Sequence, residues 1–109
     1  MSNKAESAIS DVFFALGDDT RLAVVRRLAE HGAQSATRLS DGARVTRQAI
    51  VKHLQVLENA GLVLPERRGR EVLYTLNQQR LQQAQVFLDS MSAGWDRAIE
   101  RLRQFVEAT

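Results

Sequence analysis

From Leu81 to Phe105 the residues Leu81, Ala84, Leu88, Met91, Trp95, Ala98, Leu102 and Phe105 step by 3, 4, 3, 4, 3, 4 and 3. That spacing suits an α-helix, and an a/d pattern held over three heptads is the seam along which helices pair. Phe87, Ile99 and Val106 widen the stripe. The final third of the chain is therefore expected to be one long helix with an apolar seam along one side. Gly94 falls mid-pattern and leaves open whether the helix runs through unbroken.

The rest of the chain reads as a series of shorter elements. Ala5, Ala8, Ile9, Val12, Phe13 and Leu16 recur at helical spacing and predict a first helix ending near Gly17. Asp18 is a good N-cap for a second helix through Leu22, Val25, Arg26 and Leu28, closed by His31-Gly32. Ser35 can cap a short third helix carrying Ala36 and Leu39, stopped by Asp41-Gly42. Thr46 opens a fourth, with Val45 and Ile50 spaced as a hydrophobic staple and Gly61 at the left-handed C-cap position. Ala49, Ile50, His53, Leu54, Leu57 and Ala60 fall on one side of that helix. Gln48, Val51, Lys52, Gln55 and Asn59 fall on the other, with Arg47 at the flank. Leu62-Val63-Leu64 begins a strand, and Val72, Tyr74 and Leu76 alternate on a second. Arg68-Gly69 reads as the tight turn between them, and Pro65 assigns the first strand to an edge. Asn77 can cap the last helix.

Composition narrows the chemistry. With 44% apolar and 26% charged residues in 109, the chain is expected to be one soluble globular domain. No apolar run approaches the ~18 residues of a membrane span, and Met1 to Ser10 has no signal-peptide core, so a cytoplasmic chain without a membrane partner is expected. There is no cysteine, which removes disulfides, thiolate nucleophiles, Cys-ligated zinc and thiol redox sensing. The two histidines, His31 and His53, are too few for a His-rich metal cage. His31 suits the negative end of a helix dipole, and His53 a packed, hydrogen-bonded position on the apolar side. Neither sits in a recognisable triad, and no glycine loop for phosphate occurs. No enzyme, metal site or cofactor is expected.

Charge is distributed unevenly. Residues 1–43 and 71–109 each carry a formal net charge of −1, whereas residues 44–70 carry +4. Thirteen of the fifteen bases are Arg, the side chain suited to forked contacts with phosphates and guanine edges. Two short helices joined by a tight turn, the second apolar inside and polar outside, form a helix-turn-helix pattern. On its outward face Gln can pair with adenine, Arg with guanine, and Val can touch a thymine methyl. Arg47, Gln48, Val51, Lys52 and Gln55 have those properties, and the Arg67-Arg68-Gly69-Arg70 tip is a cationic finger for phosphates or the minor groove.

At this point the chain resembles the ArsR family of winged-helix transcriptional repressors. The resemblance is carried by Phe14-Ala15-Leu16-Gly17-Asp18-Asp19-Thr20-Arg21-Leu22 and by the run from Val45 to Leu57. Glu58-Asn59-Ala60-Gly61-Leu62-Val63 and the wing from Arg67 to Tyr74 complete it. It implies a homodimer that binds an imperfect inverted repeat of double-stranded DNA and blocks transcription. By position Thr46, Arg47, Gln48, Val51 and Lys52 match the recognition helix, and Arg67, Arg68 and Arg70 the wing. Asp19 replaces the proline usual after the Asp, and Arg44 stands where many members have Gly. Metal-sensing members place cysteines in the helix before the recognition helix, where this chain has Ser35 and Thr37. A second sensor type uses Asp and His from the last helix. Here Asp89, Asp96 and Glu100 stand there without a His, and read as a solvated face pairing with Arg97, Arg101 and Arg103.

The expected fold is thus mainly α with a small β-hairpin: a winged helix-turn-helix of about five to six helices plus a two-stranded wing. A DNA-binding core at 10–76, with recognition helix 46–60 and wing 62–76, precedes a dimerisation helix at 78–107. The dimer is expected to bury Val12, Phe13, Leu88, Met91, Trp95 and Leu102. Two alternatives stay open: an adaptor that binds a protein through the basic face, and a small organic effector held in a cleft at Trp95.

Overall fold

The computed structural model describes residues 4–41 and 43–108, with side chains from residue 8 onward. Gly42, expected to stop the third helix, and the Ala5 side chain lie outside them. Among the described residues there are five helices: α1 (Lys4–Leu16), α2 (Asp19–His31), α3 (Ala36–Ser40), α4 (Arg47–Asn59) and α5 (Gln78–Ala108). Three strands accompany them: β1 (Gln34–Ser35), β2 (Val63–Arg68) and β3 (Glu71–Leu76).

Each expected N-cap forms. Asp18, Ser35 and Thr46 accept hydrogen bonds from the backbone N–H groups of Arg21, Arg38 and Ala49, three residues on in each case. Such side-chain oxygens satisfy donors that a helix start leaves open. At α5, Asn77 accepts from the Arg80 N–H at 3.4 Å, while its own amide donates to the Gly61 carbonyl at 2.9 Å. Gly61 has φ +76° and reverses the chain out of α4 into β2.

The core is one cluster drawn from every helix. Val12 and Ala15 of α1 meet Val24 and Leu28 of α2, Leu39 of α3, Ile50, Leu54 and Leu57 of α4, and Leu62, Val63 and Ala84 beyond. Val12, expected at a dimer interface, is instead 0% exposed within the chain's own core, so it has no surface to give to such an interface. The apolar residues of α1 divide between two sides of the helix, and Val12 with Ala15 takes the inward one. Phe13, on another side, is 37% exposed and lies 6.0 Å from the Phe87 ring of α5.

The sheet departs from the expected two-stranded wing. It has three antiparallel strands in the order β1-β3-β2, with Gln34 opposite Tyr74 and Ser35 opposite Leu73. A two-residue strand carries no readable alternation, and its partner lies about forty residues away, so no local pattern announces it. The hairpin turn is one residue later than expected. Arg68 pairs with Glu71, so Gly69 and Arg70 form the two-residue loop, with Gly69 at φ +62°. Pro65 does lie on an edge strand, where its missing N–H breaks no ladder.

α5 is continuous through Gly94 for 31 residues, about 46 Å at 1.5 Å per residue. The molecule accordingly measures 69 × 31 × 21 Å. Its radius of gyration of 18.6 Å exceeds the ~13 Å of a compact domain of this length, because the second half of α5 projects beyond the core.

Candidate nucleic-acid interface

α4 is held from beneath and open above. Ile50, Leu54 and Leu57 are at most 1% exposed and fasten the helix to the core. Thr46, Arg47, Gln48, Val51, Lys52 and Gln55 are all exposed on the other face, Val51 at 39%. The division into two faces follows the 100° periodicity read from the sequence. The Gln55 amide donates to Asn59 Oδ1 at 3.0 Å, one turn along, which steadies that side chain on the surface.

Arg47 behaves differently from its neighbours. Its Nε donates to Thr37 Oγ1 of α3 at 3.1 Å, so the guanidinium is tied sideways across the turn between the two helices. Ser35 and Thr37 occupy the positions at which the family resemblance places sensor cysteines. Here one caps α3 and the other holds an arginine of α4.

The wing carries Arg67, Arg68 and Arg70, all exposed. Arg68 Nε stands 3.4 Å from Glu66 Oε1, and both side chains are more than half exposed. An ion pair that open contributes about 0–1 kcal/mol, little enough for a phosphate to displace the carboxylate.

Three features have no signal in the sequence, because each joins a side chain of one element to another element. Arg21 Nε donates to the Ala15 carbonyl at 2.7 Å, and its Nη2 to Phe14 O at 3.4 Å, closing the open end of α1. Arg27 does the same for α3, with Nη1 2.7 Å from Leu39 O and Nη2 3.1 Å from Arg38 O. Both guanidiniums satisfy carbonyls that a helix end leaves without partners. Third, His53 has a carboxylate beside it: its Nδ1 lies 3.7 Å from Asp18 Oδ2 and 3.5 Å from Arg21 Nη1. The cluster links the start of α2 to the middle of α4. The backbone N–H of Arg21 holds the Asp18 carboxyl below its ordinary value against the opposing effect of burial, with the Arg21 and His53 side chains beside it adding to the lowering.

On α5, Leu88, Met91, Trp95 and Leu102 are 52%, 60%, 69% and 65% exposed. Asp89, Asp96 and Glu100 are exposed too, and of the expected helical-spacing pairs Glu100 with Arg103 forms, at 3.5 Å. Among the described residues no three His, Asp or Glu side chains gather in one place, and no helix is long and apolar enough to cross a membrane.

Comparison with known proteins agrees with this geometry. Residues 16–66 match the family described as Helix-turn-helix domain. The chain is 38% identical over 76 residues to YuzN of Bacillus subtilis, described as an uncharacterized HTH-type transcriptional regulator, covering 64% of this chain and 83% of that one. An HTH-type transcriptional regulator of Mycobacterium tuberculosis is 35% identical over 94 residues, 86% of this chain and 84% of the other. Among solved structures, an ArsR-like transcriptional regulator from Rhodococcus sp. RHA1 superposes with a TM-score of 0.81 at 35% identity, over 91% of this chain and 92% of that one. A core-anchored helix with an open polar face, a cationic hairpin beside it and relatives of this kind lead to one assignment: the chain belongs to the ArsR family of winged-helix, DNA-binding transcriptional regulators.

Proposed function

We propose that the protein acts in the cytoplasm as a homodimeric repressor, without an enzymatic step, on an inverted-repeat operator. The observation that carries this reading is the split of α4 into a buried apolar face and an exposed polar one. Gln48, Val51, Lys52 and Gln55 then read base edges in the major groove, Thr46 lies at the backbone beside them, and Arg67 and Arg68 reach along the wing to phosphates. Two such helices facing successive grooves stand about 34 Å apart, one turn of DNA. Pairing the protomers doubles the number of base pairs read, which discrimination against a genome requires.

Leu88, Met91, Trp95 and Leu102 supply the dimer seam, with Phe13 at its edge and Phe105 extending it. Trp95 at 69% exposure stands out in solvent within one protomer, so an organic effector beside it needs walls from a second.

The experiment is an anisotropy titration of DNA from upstream of the protein's own gene against a scrambled duplex. Gln48→Ala is expected to weaken binding to the preferred site by about 1–3 kcal/mol and to leave the scrambled duplex unchanged. Equal losses on both duplexes would remove Gln48 from the reading role. The absence of any site-selective, salt-sensitive binding would favour the adaptor instead.

A further inference from the structure

We propose that Arg47 and Arg70 together clamp one backbone phosphate of the bound duplex, so that Arg47 sets affinity and position rather than sequence. The inference rests on the DNA-binding reading above and assigns a role within it. A cleft of about 380 Å³ lies between α3, the start of α4 and the wing, with Thr37, Arg47, Val51, Arg70 and Tyr74 among its walls. Of the four side chains assigned to base edges only Val51 lines it, and Gln48, Lys52 and Gln55 are absent from its walls, so the cleft opens at the margin of the base-reading face.

Arg47 is fastened for such a task. With Nε committed to Thr37 Oγ1 at 3.1 Å, its free donors are the paired Nη groups, the edge that forks onto two phosphate oxygens. An arginine that reads guanine extends its fork down to the O6 and N7 of the base. Holding this guanidinium sideways against α3 works against that reach and lowers the entropy lost on gripping an anion at the cleft. Arg70 comes from the opposite wall, in the two-residue turn of the hairpin. Glu71 also lines the cleft, leaving two cations against one carboxylate. A ligand bearing one negative charge completes the balance, and a phosphodiester is the monoanion that a duplex presents between a recognition helix and a wing.

The test uses the full chain, the upstream duplex and a scrambled duplex of equal length, titrated by anisotropy across a potassium chloride series. Arg47→Ala should weaken both duplexes by the same factor, roughly tenfold, and make the salt dependence shallower. Arg70→Ala should do likewise. The double variant should lose less than the product of the two, because one arginine alone no longer closes the clamp. Thr37→Val keeps both charges and should give a smaller loss, again shared by the two duplexes. A loss for Arg47→Ala confined to the upstream duplex, with the salt slope unchanged, would make Arg47 a base reader and overturn the clamp. Losses that simply multiply would place the arginines on separate phosphates and overturn it as well. If the unaltered chain bound neither duplex, the DNA reading itself would fall, and the clamp with it.

Discussion

Arginine is asked to do two different jobs in this molecule, and the distance to the nearest carbonyl tells them apart. Arg21 and Arg27 bend back on helix ends at 2.7 Å and belong to the scaffold. Arg67, Arg68 and Arg70 stand exposed on the wing. A count of positive charge treats these alike, so the sequence places the basic excess correctly without showing which cations are spoken for. Asp18 illustrates the same point for an acid. Its depressed pKa means that the unfolded chain binds a proton more readily than the folded one, near the ordinary value of 3.8. The stability Asp18 contributes is therefore complete above that value and is lost as pH falls through the lower folded one. Asp18→Asn keeps a good cap but cannot titrate. Urea unfolding between pH 5 and pH 2 should show a flatter loss of stability for the variant than for the parent chain, and parallel curves would remove Asp18 from the acid response.

For single elements, starts and stops were the most readable part of the chain. Ser35 and Thr46 cap where expected because capping needs one oxygen three residues before an N–H, a purely local arrangement. The stop of α4 has a local and a distant part. Gly61 supplies the positive φ of +76°, which its neighbours in sequence predict. A Cβ there would also come within 2.8 Å of Arg80 Nε, which no local pattern reveals. Gly61→Ala should accordingly destabilise the fold by about 1–2 kcal/mol from backbone strain alone, with Arg80 forced to move, as read from the urea midpoint. An unchanged midpoint would mean that the junction relaxes without cost. The one-residue shift of the hairpin turn from Arg68-Gly69 to Gly69-Arg70 has a similar origin. Either pair contains the glycine, and the pairing of Arg68 with Glu71 decides between them.

The molecule as a whole is shaped by α5, whose second half extends past the core with its seam uncovered. Leu102 and Trp95, 65% and 69% exposed, mark the stretch that the proposed partner covers. Burying a leucine is worth about 1.5–3 kcal/mol, and a twofold dimer buries it twice. Leu102→Asp should therefore raise the dimer dissociation constant by on the order of a hundredfold or more, measured by sedimentation equilibrium. It should leave the far-ultraviolet spectrum of the winged domain nearly unchanged, because Leu102 touches none of that core. A variant that sediments like the parent chain would remove Leu102 from the interface.

Spacing within one element was enough to fix the helices and their caps, the two faces of α4, the edge position of Pro65 and the apolar stripe along α5. Periodicity and capping act over three or four residues, and such rules can be read along a line. The tertiary structure alone decided the pairing of β1 with β3, the inward position of Val12, the meeting of His53 with Asp18, and the tie between Arg47 and Thr37. Each of these depends on where separate elements come to rest against one another, and packing in three dimensions sets that, not the order of residues along any one of them.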